Sequence, residues 1–279
     1  MPQSDETLND LMNYYGSLYN EQTRLLGTWG QVEFARSQGI IRRYLKQPPA
    51  LVLDVGGAAG RYACWLAREG YEVHLVDPVP LHIEQAWAAS AAQPERPLAS
   101  CTLGDARQLE AADELTDAVL LMGPLYHLVE VQDRHQALAE AYRVLKPGGH
   151  VFAAAISRFA STIDGLASGY YLDPLYRELV LRDLAEGQHR NPTQDPTYFT
   201  TAFFHRPDEL ADEVAGAGFR VTALLAIEGI SYLVQDLDAV WGDERQRAFL
   251  LDLIGKIEQE PSLLGASPHL MCVAEKPLA

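Results

Sequence analysis

Two acidic side chains and a group of glycines stand at spacings that could grip a nucleoside. The stretch "LVLDVGGAAGRYACWLAREGYEVHLVDP", residues 51–78, runs through apolar residues to Asp54 and then to Gly56, Gly57, Ala58 and Gly60. Glycines here let the main chain turn sharply and let a ligand approach the backbone closely. A helix starting at Gly60 would offer unpaired N–H groups at its N-terminus. Asp77 ends a second apolar run 17 residues after Gly60, where a carboxylate can accept from both hydroxyls of a ribose. The glycines fit no register of the dinucleotide pattern G-x-G-x-x-G. The frame that fits is Asp54-x-Gly56-x-Ala58-x-Gly60. A carboxylate at Asp54 opposes a pyrophosphate and favours a cationic ligand.

These residues need strands and helices to hold them. "ALVLDV" (50–55), "YEVHLVD" (71–77), "LASCTLGD" (98–105), "DAVLLMG" (117–123) and "HVFAAAI" (150–156) are short, branched and apolar, as buried parallel strands are. Between them, "RYACWLAREG" (61–70), "LHIEQAWAASAA" (81–92) and "DRHQALAEAYRVLKPGG" (133–149) have helical spacing. Alternation of this kind predicts a parallel sheet with helices on both faces. Residues 1–49 read as a helical cover, with Leu8, Leu11, Tyr15, Leu18 and Tyr19 at helical spacing and a second helix over 32–45. Residues 50–156 are the core. Residues 157–205 interrupt the rhythm with an aromatic-rich insertion, read as a lid. Residues 206–279 complete the sheet, with a helix after Pro207, a strand over 219–229, an amphipathic helix over 243–261 and a last strand over 269–277.

The composition restricts the partners. The chain has 279 residues, 48% hydrophobic and 22% charged, enough to bury a full core. A net charge of −16 with no concentrated basic patch argues against nucleic acid and against an anionic membrane surface. The three cysteines, Cys64, Cys101 and Cys272, form no C-x-x-C pair and suit a reducing compartment. The polar, acidic start lacks the basic head and apolar stretch of a signal peptide. The expectation is a cytoplasmic protein acting on a small molecule.

The glycine stretch resembles motif I of the class I S-adenosylmethionine-dependent methyltransferases, D/E-x-G-x-G-x-G, with Ala58 where that family prefers glycine. Further landmarks match in order: "LVDP" with Asp77 and Pro78, "LGDARQL" with Asp105 and Ala106, "DAVLLMGPLYHL" with Met122 and Gly123, and "RVLKPGGHVFAAAIS". The resemblance implies an α/β fold, Rossmann-like and doubly wound, with seven strands of which one, in the last hairpin, is antiparallel. It implies S-adenosyl-L-methionine as cofactor, its ribose at Asp77 and its adenine at Asp105 and Ala106. A leading helix often covers the cofactor in this family, which points to Tyr19 for the cofactor and to Tyr15 and Trp29 over the acceptor.

His127 is the candidate general base, with Tyr126 beside it, because "GPLYHL" follows the fourth strand at the ligand-binding edge of the sheet. Arg158, Tyr198 and His205 are the acceptor-site candidates around the insertion. No metal ligand set is evident. The expected activity is methyl transfer to a small-molecule acceptor, by a monomer or homodimer. A nicotinamide oxidoreductase and a non-catalytic protein that binds the cofactor or its product are the alternatives.

Overall fold

The computed structural model describes residues 11–19, 21–193 and 195–278. Seven strands form one sheet: β1 (Leu51–Val55), β2 (Glu72–Asp77), β3 (Ser100–Leu103), β4 (Thr116–Leu121), β5 (Leu145–Ile156), β8 (Arg220–Ala226) and β9 (His269–Glu275). A two-stranded ribbon, β6 (Gln188–His189) and β7 (Ala202–Phe203), stands apart. The order across the sheet is β3-β2-β1-β4-β5-β9-β8, and β9 runs antiparallel to both of its neighbours. The order reverses between β1 and β4. The carboxyl ends of those two strands therefore open a crevice, the usual ligand position in an open α/β sheet.

Alternation along the strands builds two cores. Val52, Ala118, Leu120, Phe152 and Leu225 face one side. They pack against α1 (Thr28–Tyr44), α2 (Arg61–Arg68) and α3 (Pro80–Ala91). Leu53, Val55, Val119, Leu121 and Val151 face the other side. There they meet α5 (Val131–Val144), which follows the short α4 (Pro124–His127), and a later helix over Pro207–Gly216. Each such valine, leucine or phenylalanine taken from water contributes about 1.5–3 kcal/mol. All three cysteines are buried and unbridged, so they act as small apolar side chains.

Two expectations of local structure need correction. The helix placed over 133–149 ends at Val144, and β5 begins at Leu145, so Lys146, Pro147, Gly148 and Gly149 lie in a strand. Leu145 is already paired with Thr116, with a register shift before Ala118 meets His150. That irregularity absorbs the proline and glycines. The leading helix is also broken. Tyr14–Leu18 is a single π-helical turn closed by the Tyr19 N–H on the Tyr14 carbonyl (2.8 Å), and Glu21–Arg24 is a separate turn. Stacking of Tyr19 on Tyr14 fixes this wider turn (centroids 5.2 Å). Leu8 lies outside the described residues.

Segment 157–205 is more regular than its sequence suggests, with α6 (Ala160–Ser168) and α7 (Pro174–Glu186) before the β6–β7 ribbon. Its ends meet: the His205 N–H bonds the Ile156 carbonyl (2.8 Å) and the Arg158 N–H bonds the His205 carbonyl (2.7 Å). An excursion that closes at its base can be long at little entropic cost to the core. Beyond it come α8 (Pro207–Gly216), α9 (Leu237–Gly242) and α10 (Glu244–Ile257). No helix among the described residues is long and apolar enough to cross a membrane.

Candidate ligand-binding site

β1 hands the chain to a turn that leaves no room for side chains. The N–H groups of Gly56 and Gly57 both point to the Val76 carbonyl (2.7 and 3.3 Å). Gly56 has φ +68°, and a Cβ there would stand 2.8 Å from the ring of Pro124. A Cβ on Gly57 would stand 2.7 Å from Leu75 and 2.9 Å from an oxygen of Asp54. Ala58 is left-handed, with φ +49°. Glycine adopts that conformation without the penalty of roughly 1–2 kcal/mol that a Cβ carries. Ala58→Gly is therefore expected to raise stability by about 1 kcal/mol, net of glycine's greater unfolded-state entropy. The rise in melting temperature would be about 2 °C by calorimetry; a lower melting temperature would show that the turn is unstrained.

The second acid is heavily committed. The Ala58 N–H donates to Asp77 Oδ2 (2.9 Å), while Asp77 Oδ1 accepts from the Val79 N–H (2.9 Å) and from His82 Nδ1 (2.9 Å). Asp105 is held by Arg107, whose Nε and Nη2 reach its two oxygens (3.0 and 2.6 Å). Burial opposes ionisation of Asp105, but the bonds and charge of Arg107 outweigh it and lower its pKa. The chain after Asp105 forms a turn, with the Gln108 N–H on the Asp105 carbonyl (3.0 Å).

Between these groups lies a cavity of about 460 Å³, within the size range of small-molecule sites. The cofactor candidates Asp54, Gly56, Gly57, Ala58, Gly60, Asp77, Pro78, Asp105, Ala106, Met122 and Gly123 all line it, as do Tyr15, Tyr126 and His127. Lining residues carry buried polar atoms with no hydrogen-bond partner among the described residues, Arg61 Nε and His82 Nε2, and the Asp54 carboxyl meets only the Ala63 amide. Such orphans are costly, and their concentration around one cavity makes it the candidate ligand site. Asp54 is the extreme case. Burial first, and the charge of Asp77 second, push its carboxyl up to about 7, with the Ala63 amide working weakly the other way.

Along the cavity wall, the Tyr15 hydroxyl donates to His127 Nε2 (3.0 Å). The other ring nitrogen of His127 faces the backbone of Thr201. Burial, and then the neighbouring His82, depress His127 to about 3, so the ring is neutral at ordinary pH. Burial also raises Tyr15 well above its usual range, so it stays protonated.

The remaining sequence candidates lie off the cavity. Tyr19 stacks on Tyr14 instead. Trp29 is 48% exposed on α1 and is not among the residues that line the cavity. Arg158 is buried and spent internally, with Nε on the Phe204 carbonyl (2.7 Å) and Nη2 on Glu209 (2.6 Å). His205 is wholly buried with Nε2 toward Glu213 (3.3 Å). The Tyr198 hydroxyl is bonded to Asp173 (2.5 Å). These three brace the insertion, and none of them reaches the cavity.

The structure adds residues that sequence reasoning passed over. His82 stands in the first turn of α3, and its only sequence signal is a histidine five positions after a strand-end acid. Arg24 lines the cavity and is neutralised by Glu33 (2.7 Å) and Glu21 (2.7 Å). Glu33, Glu228 and His269 offer ligand atoms within 4.8 Å of one another, a possible metal geometry. Their charges are already matched: Arg24 holds Glu33, and His269 Nδ1 meets Glu228 (2.5 Å). Against the opposing effect of burial, Glu228 and then Glu33 raise His269 to about 9, and a protonated imidazole does not ligate a metal.

Comparison with known proteins places the core. A family model described as "Methyltransferase domain" matches residues 53–153. An uncharacterized methyltransferase of Mycobacterium tuberculosis is 34% identical over 100 residues, covering 36% of this chain and 37% of the relative. The ubiquinone biosynthesis O-methyltransferase of Acinetobacter baylyi is 29% identical over 177 residues, covering 61% of this chain and 63% of the relative. The chain thus spans less than two thirds of the length of these relatives. A crystal structure of a SAM-dependent methyltransferase from Methanosarcina mazei shares the fold, with a TM-score of 0.57 at 19% identity over 86% of this chain and 98% of the other. With a sheet order that puts its one antiparallel strand between β5 and β8, and with a matched methyltransferase domain over 53–153, the core of the chain is similar to the class I S-adenosylmethionine-dependent methyltransferases.

Proposed function

We propose that the chain moves a methyl group from S-adenosylmethionine to a small-molecule acceptor in the cavity beneath its N-terminal turn. The observation that carries this reading is Asp54, a fully buried carboxyl with no side-chain hydrogen-bond partner among the described residues and a pKa near 7. A cationic ligand supplies the charge that such a group lacks, whereas a pyrophosphate would repel it. When bound, S-adenosylmethionine supplies an activated methyl group on a sulfonium. The residues that would hold it are the glycine turn, Asp54, Asp77, Pro78, Asp105, Ala106, Met122 and Gly123. What remains for the chain is to orient the acceptor, to exclude water and to receive a proton.

Tyr15, Tyr126 and His127 lie where an acceptor would enter, and they are the proposed acceptor-side residues. Segment 157–205 is the proposed lid. Its Phe199 ring stands 5.8 Å from Tyr14 and 6.0 Å from His127, joining it to the N-terminal turn over the site. The cavity volume supports a small acceptor, and so does the name of the Acinetobacter relative, an O-methyltransferase of ubiquinone biosynthesis. Calorimetry with S-adenosylmethionine and S-adenosylhomocysteine, followed by mass spectrometry of phenol, amine and thiol acceptors for an added methyl group, tests the reading. Heat with both ligands and a methylated product is expected. No heat with either, alongside binding of a nicotinamide dinucleotide, overturns it. Binding with no transfer to any acceptor would assign a non-catalytic binding role instead.

A further inference from the structure

We infer that His82 is a hydrogen-bond acceptor for one ribose hydroxyl of the adenosyl ligand, sharing the diol with Asp77; this rests on the adenosyl reading above. A carboxylate that takes both hydroxyls of a ribose needs a free lone pair on each oxygen. Asp77 does not have them. Each carboxylate oxygen has about two acceptor positions. Oδ1 already accepts from the Val79 N–H and from His82 Nδ1, both at 2.9 Å. Oδ2 accepts from the Ala58 N–H at 2.9 Å, which leaves one position open. One hydroxyl can go there, and the second needs another acceptor close by.

His82 is that acceptor. Its ring is 3% exposed and lines the cavity. With Nδ1 committed as a donor to Asp77, the tautomer that carries its one proton there presents Nε2 as a lone pair. That atom is shut off from water and has no hydrogen-bond partner. The Tyr15 ring lies edge-on beside it, with centroids 5.3 Å apart, and the Tyr15 hydroxyl is bonded to His127, so Tyr15 does not satisfy it. An acceptor buried without a donor is unfavourable, and a ligand hydroxyl removes that cost on binding. His82 is thus a positioning residue. Its Nδ1–H orients Asp77 while its Nε2 reads the sugar, and both contacts come from one ring fixed on the first turn of α3.

The test is a binding cycle with S-adenosylhomocysteine and its two monodeoxy analogues, each lacking one ribose hydroxyl. His82→Leu is expected to weaken S-adenosylhomocysteine about tenfold by calorimetry, the equivalent of about 1.4 kcal/mol. The wild type should lose a similar factor on one monodeoxy analogue. That analogue should bind wild type and His82→Leu equally. His82→Gln, whose amide can donate to Asp77 and accept from a hydroxyl, should recover part of the loss. If His82→Leu does not fold, nitrogen NMR of the wild-type histidine rings decides. The Nε2 signal of His82 should shift with S-adenosylhomocysteine and stay in place with the analogue missing its hydroxyl. The inference fails if His82→Leu binds S-adenosylhomocysteine like wild type. It fails equally if all three ligands lose the same factor, or if the Nε2 signal responds alike to all of them. A wild type that gives no heat with S-adenosylhomocysteine overturns the adenosyl reading itself, a distinct outcome.

Discussion

Asp54→Asn is expected to make the ligand-free protein more stable above about pH 7 while depriving it of its ligand. In the folded chain the carboxyl titrates near 7, far above its ordinary value of 3.8. The folded state then holds a proton that the unfolded state has released, so stability falls as pH rises from about 4 to about 7. Above that window the ionised, unpartnered group costs on the order of 4 kcal/mol. Asparagine has no charge to bury. The melting temperature of the variant should exceed that of wild type by roughly 5 °C or more at about pH 8, and the two should converge near pH 4. Affinity for S-adenosylmethionine should fall at least tenfold, about 1.4 kcal/mol. Binding to wild type near pH 7 should also release part of a proton, because a cation beside Asp54 lowers its pKa again. Calorimetry in two buffers of different ionisation enthalpy measures that release, which the variant should lack. A variant that melts below wild type at about pH 8 would show that Asp54 is held by contacts worth more than its burial penalty.

The same residue explains why so much of the site was legible in the sequence. A ligand turn between two buried strands uses residues that are adjacent in the chain. Glycine at positive φ and an acid at a strand end leave a local signature. The strands themselves are short apolar runs, and their order follows from the crossover rules. What stayed hidden depends on contacts between distant residues. Arg158 looks like a free cation after a strand, but the carbonyl of Phe204 and the carboxylate of Glu209 claim it in the fold. His205 is drawn inward by Glu213 in the same way. The end of α5 was misplaced because Leu145 satisfies both a helical stripe and a strand pattern, and only its pairing with Thr116 decides. His82 escaped notice because its role depends on how the Asp77 carboxylate spends its lone pairs, which no spacing rule encodes.

Proton uptake is where the proposed chemistry can be tested most sharply. A neutral hydroxyl or thiol that gains a methyl group becomes a strong acid, so even a weak base can receive its proton after transfer. His127, depressed to about 3 by burial and by His82, is such a base. Its Nε2 is occupied by the Tyr15 hydroxyl at 3.0 Å. The acceptor's proton would pass to the Tyr15 oxygen as the Tyr15 proton moves to Nε2, so the two residues act as one path. Tyr15→Phe and His127→Ala are therefore each expected to slow turnover about a hundredfold, within the range of roughly 10²–10⁴ for positioned acid–base groups. The double variant should be no slower than either single one, since residues that act as a unit are non-additive. Cofactor affinity should change little in any of the three. The pH profile carries the sign: a base with a lowered pKa stays deprotonated until pH approaches that value. With the cofactor held at saturation, so that Asp54 ionisation does not limit binding, turnover should show no histidine limb near pH 6.5 and should decline only at much lower pH, for as long as the protein remains folded. An acid limb near 6.5, or two single effects that multiply in the double variant, would place the proton elsewhere and reduce the Tyr15–His127 bond to a clasp between the N-terminal turn and the fourth strand's end.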